Sequence, residues 1–499
     1  MRKALSAALL IGLAVFSPSR QNTPSTLASI SAPRNALGTP AAAQEKANPS
    51  GNSSIPLAPV LVISGGTLIS GTGAPPVKDS VLVIRGDRIT AVGRRGLVQV
   101  PSNVDRRIDA SGKWVIPGLI DAHVHFSQSG GLYTRPDVID LRSRVPYERE
   151  RAQIKERLPH TFAGYLCSGV TSVVDMGGPT WNFQVREMAA HMPEAPRVAV
   201  AGPLISTYAP PELDNHDPDI IKANTPEEAR ALVRREVEHS PDLVKIWYIL
   251  TPDAGIRGSL PMVKAAVEES HAHGVRVAVH ATELETARAA IAAGADILVH
   301  SVEDSLVPDE FITALKKRQI IYTPTLVVEE GYKKVLARQA VLSDIDRVCG
   351  DPQAAASWND LKTMPKDGIF QQAGELDASI PTMKTNLKKV ISAGVIVAAG
   401  TDAGNIGTLH GSSLHREFEL MSQAGLTSMQ ILLSATRDAA RVFSRTPQMG
   451  TLEPGKFADI VILDADPLAD IRNASKIHTV IKGGVVFAEA DLARDSRTR

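Results

Sequence analysis

"GLIDAHVH", Gly118 to His125, sets an apolar run against two imidazoles two residues apart. In an extended strand, residues i and i+2 point to the same side, about 7 Å apart along the chain. His123 and His125 would therefore project together, and one metal ion could hold both. A lone histidine at a strand end is more often a hydrogen-bonded core or surface group, so the reading turns on whether further ligands occur at equivalent places.

Outward from this stretch the chain has two rhythms. From Gly118 onward, apolar β-branched runs alternate with helical patterns: "GVTSVVDMGG", "PRVAVAGPL", "PDLVKIWY", "GVRVAVHA", "ADILVHS", "QIIYTPT" and "GVIVAAGTD". With "GLIDAHVH" these make eight strands. Strand-helix alternation predicts a parallel sheet, and eight units predict an α/β fold closed as a (β/α)8 TIM-like barrel over residues 116–445. Before it, "PVLVISGGTLI", "SVLVIRGDRITAVG" and "RRIDASGKWVIPG" read as short strands joined by Gly-Asp and Ser-Gly turns. "GTLEPGKFADIVILDADP" and "IHTVIKGGVVF" resume that pattern at the other end, so residues 57–115 and 446–499 are expected to form a composite β-sandwich. From Thr325 to about Lys366 the pattern is mostly helical, an insertion placed to cover one mouth of the barrel.

The 499 residues are long enough for such a core and satellite. Lys+Arg 54 balances Asp+Glu 54, and no basic run is interleaved with aromatics, which argues against a nucleic-acid partner. The first residues, "MRKALSAALLIGLAVFS", have the layout of a secretory signal peptide (1–17): two cations, then an apolar run too short to span a bilayer. No cysteine follows that run directly, so a lipid anchor is not indicated. Residues 18–56 are rich in Ser, Pro, Ala, Asn and Thr and read as a disordered linker. The protein is expected to be exported, periplasmic or extracellular, without a stable membrane anchor; a homo-oligomer is compatible with the sequence. Cys167 and Cys349 do not decide the compartment.

In a barrel of this kind, polar residues at the C-terminal strand ends carry the chemistry. Those ends supply His123 and His125 on the first strand, Lys245 on the fourth, His280 on the fifth, His300 on the sixth and Asp402 on the eighth. Four imidazoles and a carboxylate are zinc-type ligands. Taken singly, His280 and His300 could be core histidines, and Asp402 could cap the next helix. Their shared position raises all three. His271 and His273 repeat the HxH spacing on a helical segment, where residues two apart diverge, and are set aside. Lys245 stands among Leu243, Val244, Ile246 and Trp247. Burial there favours the neutral amine, which can add carbon dioxide to give a carbamate able to bridge two metals; a snorkelling or ion-paired lysine is the alternative.

"GLIDAHVH", "GVTSVVDMGG", "VKIW", "VAVHA", "ILVHS", "GTDAG", "SATRDAARVF" and "GTLEPGKFADIVILDADP" resemble landmarks of the amidohydrolase superfamily, in its order, from about Leu57 to Phe487. Within it the chain is similar to the imidazolonepropionase-related and binuclear Xaa-Pro dipeptidase-like hydrolases. The resemblance implies two divalent ions, zinc being expected: His123, His125 and Asp402 on one, His280 and His300 on the other, with carboxylated Lys245 bridging. It implies hydrolysis of a C–N bond in an amide, dipeptide or N-acyl amino acid by a metal-activated hydroxide, Asp402 moving the proton. Tyr248 and His410 are candidates for contacts with this small-molecule substrate. The same site could act as a lactonase or phosphotriesterase. Glu283, in "HATE", resembles the acid/base of mononuclear deaminases and cyclic-amidine hydrolases, although a first-turn helix acid explains it as well. A catalytically idle binding protein is disfavoured because all six ligand positions are filled.

Overall fold

The computed structural model describes residues 58–250, 255–364, 369–444, 447–488 and 491–493, with backbone alone for 369–377. The expected signal peptide and linker lie outside these residues.

Strand Val60–Ser64 pairs antiparallel with Ser80–Arg85 and parallel with Arg106–Asp109, and Arg88–Arg94 completes a four-stranded sheet. Trp114–Pro117 belongs to a five-stranded sheet, antiparallel to Ile460–Leu463 in the register Ile116↔Val461. Ile477–Lys482 and Val485–Ala488 continue it outward. Segments from before and after the parallel strands thus share one sheet. Strand alternation aims Leu61, Ile63, Leu82 and Ile84 into one apolar core with Val115, Ile460 and Ile462.

The parallel strands fall in two sheets. Leu119–Val124, Val170–Asp175 and Arg197–Val200 make the first. Ile220–Lys222, Leu204–Ser206, Leu243–Trp247, Arg276–His280, Ile297–Val299 and Ile321–Thr323 make the second. The fold is α/β with mixed sheets, and the ladder does not close as the expected eight regular strands. The third strand is interrupted: Arg197–Val200 pairs with Val170–Asp175, while Leu204–Ser206 pairs with Leu243–Trp247. Pro203 stands between the two halves, and without an N–H it cannot continue a ladder. The eighth segment is no regular strand either. It is held by single bridges, Val397 to Tyr322 and Ala403 to Val124. Its backbone nevertheless bonds to both neighbours, with Ala398 N donating to Tyr322 O at 2.9 Å and Asp402 N to His123 O at 2.7 Å.

After Ile321–Thr323 the insertion is helical, with helices Leu326–Leu336, Asp344–Cys349 and Pro352–Ser357. A disulfide between Cys167 and Cys349 ties it to helix Leu158–Cys167, across 182 residues of sequence. No helix among the described residues is long and apolar enough to cross a membrane.

Candidate metal centre

The parallel strands bring His123, His125, Lys245, His280 and His300 to one place, and the eighth segment, hydrogen-bonded to His123, adds Asp402. Lys245, His125, His280, His300 and Asp402 line a single cavity of about 160 Å³. His123 lies beneath it, fully buried. Its Nε2 is 3.2 Å from His125 Nε2, 3.3 Å from Asp402 Oδ1 and 3.4 Å from Lys245 Nζ. His125 Nε2 is 3.0 Å from Asp402 Oδ1. The His300 ring centroid lies 5.0 Å from that of His123 and 4.5 Å from that of His280. His123, His300 and Asp402 each place a ligand atom within 4.8 Å of the other two.

These spacings fit a metal. Ligand atoms about 2.0–2.1 Å from a tetrahedral zinc stand about 3.3–3.4 Å from one another. Asp402 Oδ1 is buried with no hydrogen-bond partner, despite two imidazole nitrogens beside it. Its lone pairs are therefore open to a cation held among these groups.

Local structure explains the convergence. Asp402 and His300 both have left-handed backbones, φ 62° and 75°, conformations costly for residues with a Cβ and concentrated where geometry is over-determined. His300 Nδ1 is 2.7 Å from Thr325 Oγ1, and His125 Nδ1 is 2.6 Å from the Gly177 carbonyl, leaving each Nε2 directed inward. Asp121, two residues before His123, accepts hydrogen bonds from His123 N, Thr401 N and Thr401 Oγ1. Asp175 accepts from Phe126 N and Gly177 N. Burial is the chief cause pushing both carboxyls up to about 7.

The electrostatics match ligand duty. Burial drives the His123 and His280 pKa values well below the usual imidazole range, and that of His300 to about 3, so all three present neutral nitrogen. Burial also pulls Lys245 down to about 7, against the pull of Asp402 and Asp175. For Asp402 burial pushes upward but is outweighed by His123 and His125, which hold it ionised.

Two expected substrate contacts are placed elsewhere. Tyr248 is fully buried, its hydroxyl 3.0 Å from Ser259 Oγ, and does not line the cavity. Being three residues from Lys245 it points to the other side of the strand; Trp247, two residues away, lines the cavity instead. His410 stacks on Phe126 with Nδ1 2.7 Å from Tyr165 Oη and Nε2 2.8 Å from Gln128 O, and faces a separate cavity. Glu283 precedes helix Leu284–Ala293, accepts from Thr286 Oγ1 at 2.9 Å, and is also outside the lining.

Sequence reasoning did not single out Arg135, Glu303, Glu329, Tyr332 or Asn405, all of which line the cavity. Arg135 makes a two-point ion pair with Asp137, at 2.8 and 2.6 Å, and also bonds Asn405 and Tyr332. Only "VHSVED", with a Glu three residues after a ligand-type histidine, offered a signal for Glu303.

A profile of the amidohydrolase family matches residues 114–486. The chain belongs to the amidohydrolase family. Its relatives are hydrolases that act on carbon–nitrogen bonds. It is 26% identical over 426 residues to the imidazolonepropionase of Brevibacillus brevis, covering 77% of this chain and 84% of that one. It is 25% identical over 460 residues to the ochratoxinase of Aspergillus niger, covering 86% and 87%. A crystal structure of a Xaa-Pro dipeptidase with bound methionine in the active site superposes with a TM-score of 0.66 at 23% identity, covering 86% of this chain and all of that one, which supports the shared fold.

Proposed function

We propose that this amidohydrolase is an exported, metal-dependent enzyme that hydrolyses a C–N bond in an amide, dipeptide or N-acyl amino acid. The observation that carries the reading is the packing of His123, His125, Lys245 and Asp402 with polar atoms 3.0–3.4 Å apart. His123, His125 and Asp402 would hold one divalent ion, His280 and His300 a second, zinc being the expected metal. Such ions generate a nucleophile at neutral pH by lowering the pKa of bound water to ~7, and they polarise a carbonyl.

The chain's own groups supply the rest. Asp402, held ionised, takes the proton from the attacking water and delivers it to the departing nitrogen. Lys245, its amine pulled down to about 7 by burial, would add carbon dioxide with loss of one proton, and the resulting carbamate would offer the two ions oxygen ligands. Trp247 and Tyr332 wall the cavity. The hydrogen-bonded approach of the Ile396–Ala403 backbone to both Tyr322 and His123 supports a barrel closed around this site. Export rests on the N-terminal apolar run and accords with the Cys167–Cys349 disulfide, a bond favoured in oxidising compartments. The mononuclear alternative is less well supported because Glu283 is engaged with Thr286, away from the cavity.

A release screen of the zinc-loaded protein against dipeptides, N-acyl amino acids, lactones and phosphotriesters tests this function. Amide cleavage is expected. Turnover confined to lactones or phosphotriesters would overturn it.

A further inference from the structure

Beside the candidate metal centre the sheet carries a row of apolar side chains that the proposed chemistry does not use. Leu204 and Ile220 are register partners on the neighbouring parallel strands Leu204–Ser206 and Ile220–Lys222, so their side chains stand side by side on one face. Ser206, two residues after Leu204 and hence on the same face, pairs with Trp247, and Trp247 pairs with His280. The row Ile220, Leu204, Trp247 therefore crosses three strands and ends at a candidate metal ligand, with the Trp247 and His280 ring centroids 6.0 Å apart. Leu204 also packs on Gly177, where a Cβ would stand 2.8 Å from Leu204 Cδ1, and the Gly177 carbonyl is 2.6 Å from His125 Nδ1.

Two other segments complete this side of the cavity. Leu213 ends the short helical turn Pro211–Leu213, Tyr147 opens helix Tyr147–Glu156, and both line the cavity with Leu204, Ile220 and Trp247. Tyr147 Oη donates to Asp219 Oδ2 at 3.2 Å, and Asp219 O accepts from Leu204 N at 2.8 Å. One residue thus fixes the Tyr147 ring and the Leu204 strand next to Ile220.

The row is apolar without packing as a core. Ile205 and Ile246, on the opposite face of the same strands, belong to the main apolar core. Leu204, Leu213, Ile220 and Trp247 join none of the apolar cores among the described residues, although Leu204 and Leu213 are only 7% and 5% exposed. Apolar surface facing a cavity is stabilised when an apolar group covers it.

We propose that Leu204, Ile220, Leu213, Tyr147 and Trp247 form a specificity pocket for a bulky apolar group, branched aliphatic or aromatic, carried by the substrate beside its scissile C–N bond. This deepens the proposed hydrolase function and rests on it for the word substrate. The row ends on His280 and abuts the glycine that holds His125, so the group sits next to the reacting carbonyl. Two sources fit: the acyl group, or the side chain of the released amino acid.

The test compares zinc-loaded wild type with Leu204→Ala, which opens the pocket, and Ile220→Phe, which fills it, each checked for native thermal unfolding. Three N-acyl amino acids are assayed by release of the amino acid: acetyl-alanine, acetyl-phenylalanine and 3-phenylpropanoyl-alanine. Calorimetric binding of 3-phenylpropan-1-ol against propan-1-ol is measured in parallel. At least one phenyl-bearing substrate should exceed acetyl-alanine in kcat/KM by about tenfold or more, and the variants should shrink that ratio. Preference for acetyl-phenylalanine assigns the amine side, and preference for 3-phenylpropanoyl-alanine assigns the acyl side. The phenyl alcohol should bind wild type about tenfold tighter than propan-1-ol, and the variants should lose that margin. If no amide is cleaved but this binding pattern holds, the hydrolase reading fails and the pocket stands. Cleavage without preference for a phenyl-bearing substrate, or with a preference that both variants leave intact, overturns the pocket. Without cleavage, alcohol binding that is equal for the two alcohols or unchanged in both variants overturns it as well.

Discussion

Thr401 Oγ1 donates a 2.6 Å hydrogen bond to Asp121 Oδ2, joining the first parallel strand to the segment that carries Asp402. Asp121 Oδ1 accepts from Thr401 N at 3.0 Å and His123 N at 3.2 Å, so one buried carboxyl sets the positions of a histidine and an aspartate of the centre. Partners behind metal ligands typically contribute 10–100-fold in metal affinity. Asp121→Ala should therefore weaken metal retention by about that factor while the protein stays folded, as read by metal content after dialysis against a graded chelator series. Retention equal to wild type would remove Asp121 from this role.

The Thr325 hydroxyl stands in the same relation to His300, 2.7 Å from Nδ1. Thr325→Val keeps the shape and removes the hydrogen bond. It should lower metal affinity by about tenfold with little change in thermal stability. A large loss of stability with metal affinity intact would make Thr325 a packing residue only.

Gly400 is where the eighth segment meets His123. A Cβ there would stand 2.9 Å from His123 Cβ, 3.0 Å from His123 N and 2.7 Å from Thr323 Cγ2. Gly400→Ala should displace the His123 backbone and reduce both bound metal and unfolding temperature. Native values of both would show that the strands part without strain.

Acid stability offers a check at a side chain outside the cavity lining. Glu330 bonds Arg416 Nε and Nη2 at 2.7 and 2.8 Å, linking helix Leu326–Leu336 to Ser413–Gln423. Burial pushes its carboxyl up, but Arg416 and then Lys334 outweigh burial and hold it down at about 2 against an ordinary 4.5. A depressed carboxylate stabilises the fold above its unfolded pKa and loses that contribution as pH falls. The unfolding temperature of Glu330→Gln should lie below wild type at neutral pH, and the gap should shrink between pH 4.5 and about 2. Parallel curves across that window would show that the pair contributes nothing.

How much of this was legible in the sequence depends on how local each signal was. The two-residue period placed His123 beside His125, and shared strand ends pointed to His280, His300 and Asp402. The same period, applied to "VKIWY", separates Tyr248 from Lys245 and places Trp247 on the side of Lys245. Pro203 was readable as a break in the third strand. Contacts made by tertiary approach were not. Asp121 meets Thr401 across 280 residues, Cys167 meets Cys349 across 182, and Glu303 and Glu329 line one cavity although one follows the sixth parallel strand and the other lies on the insertion helix.

The most direct test of the account is metal content per chain, measured on wild type, His123→Ala and Lys245→Ala purified and loaded alike. The account predicts close to two divalent ions in wild type, with both variants losing metal while remaining folded. Bicarbonate should improve loading of wild type and not of Lys245→Ala, since only the lysine amine can take up carbon dioxide. A wild type that binds no ion, or a His123→Ala protein that keeps two, would contradict the metal centre.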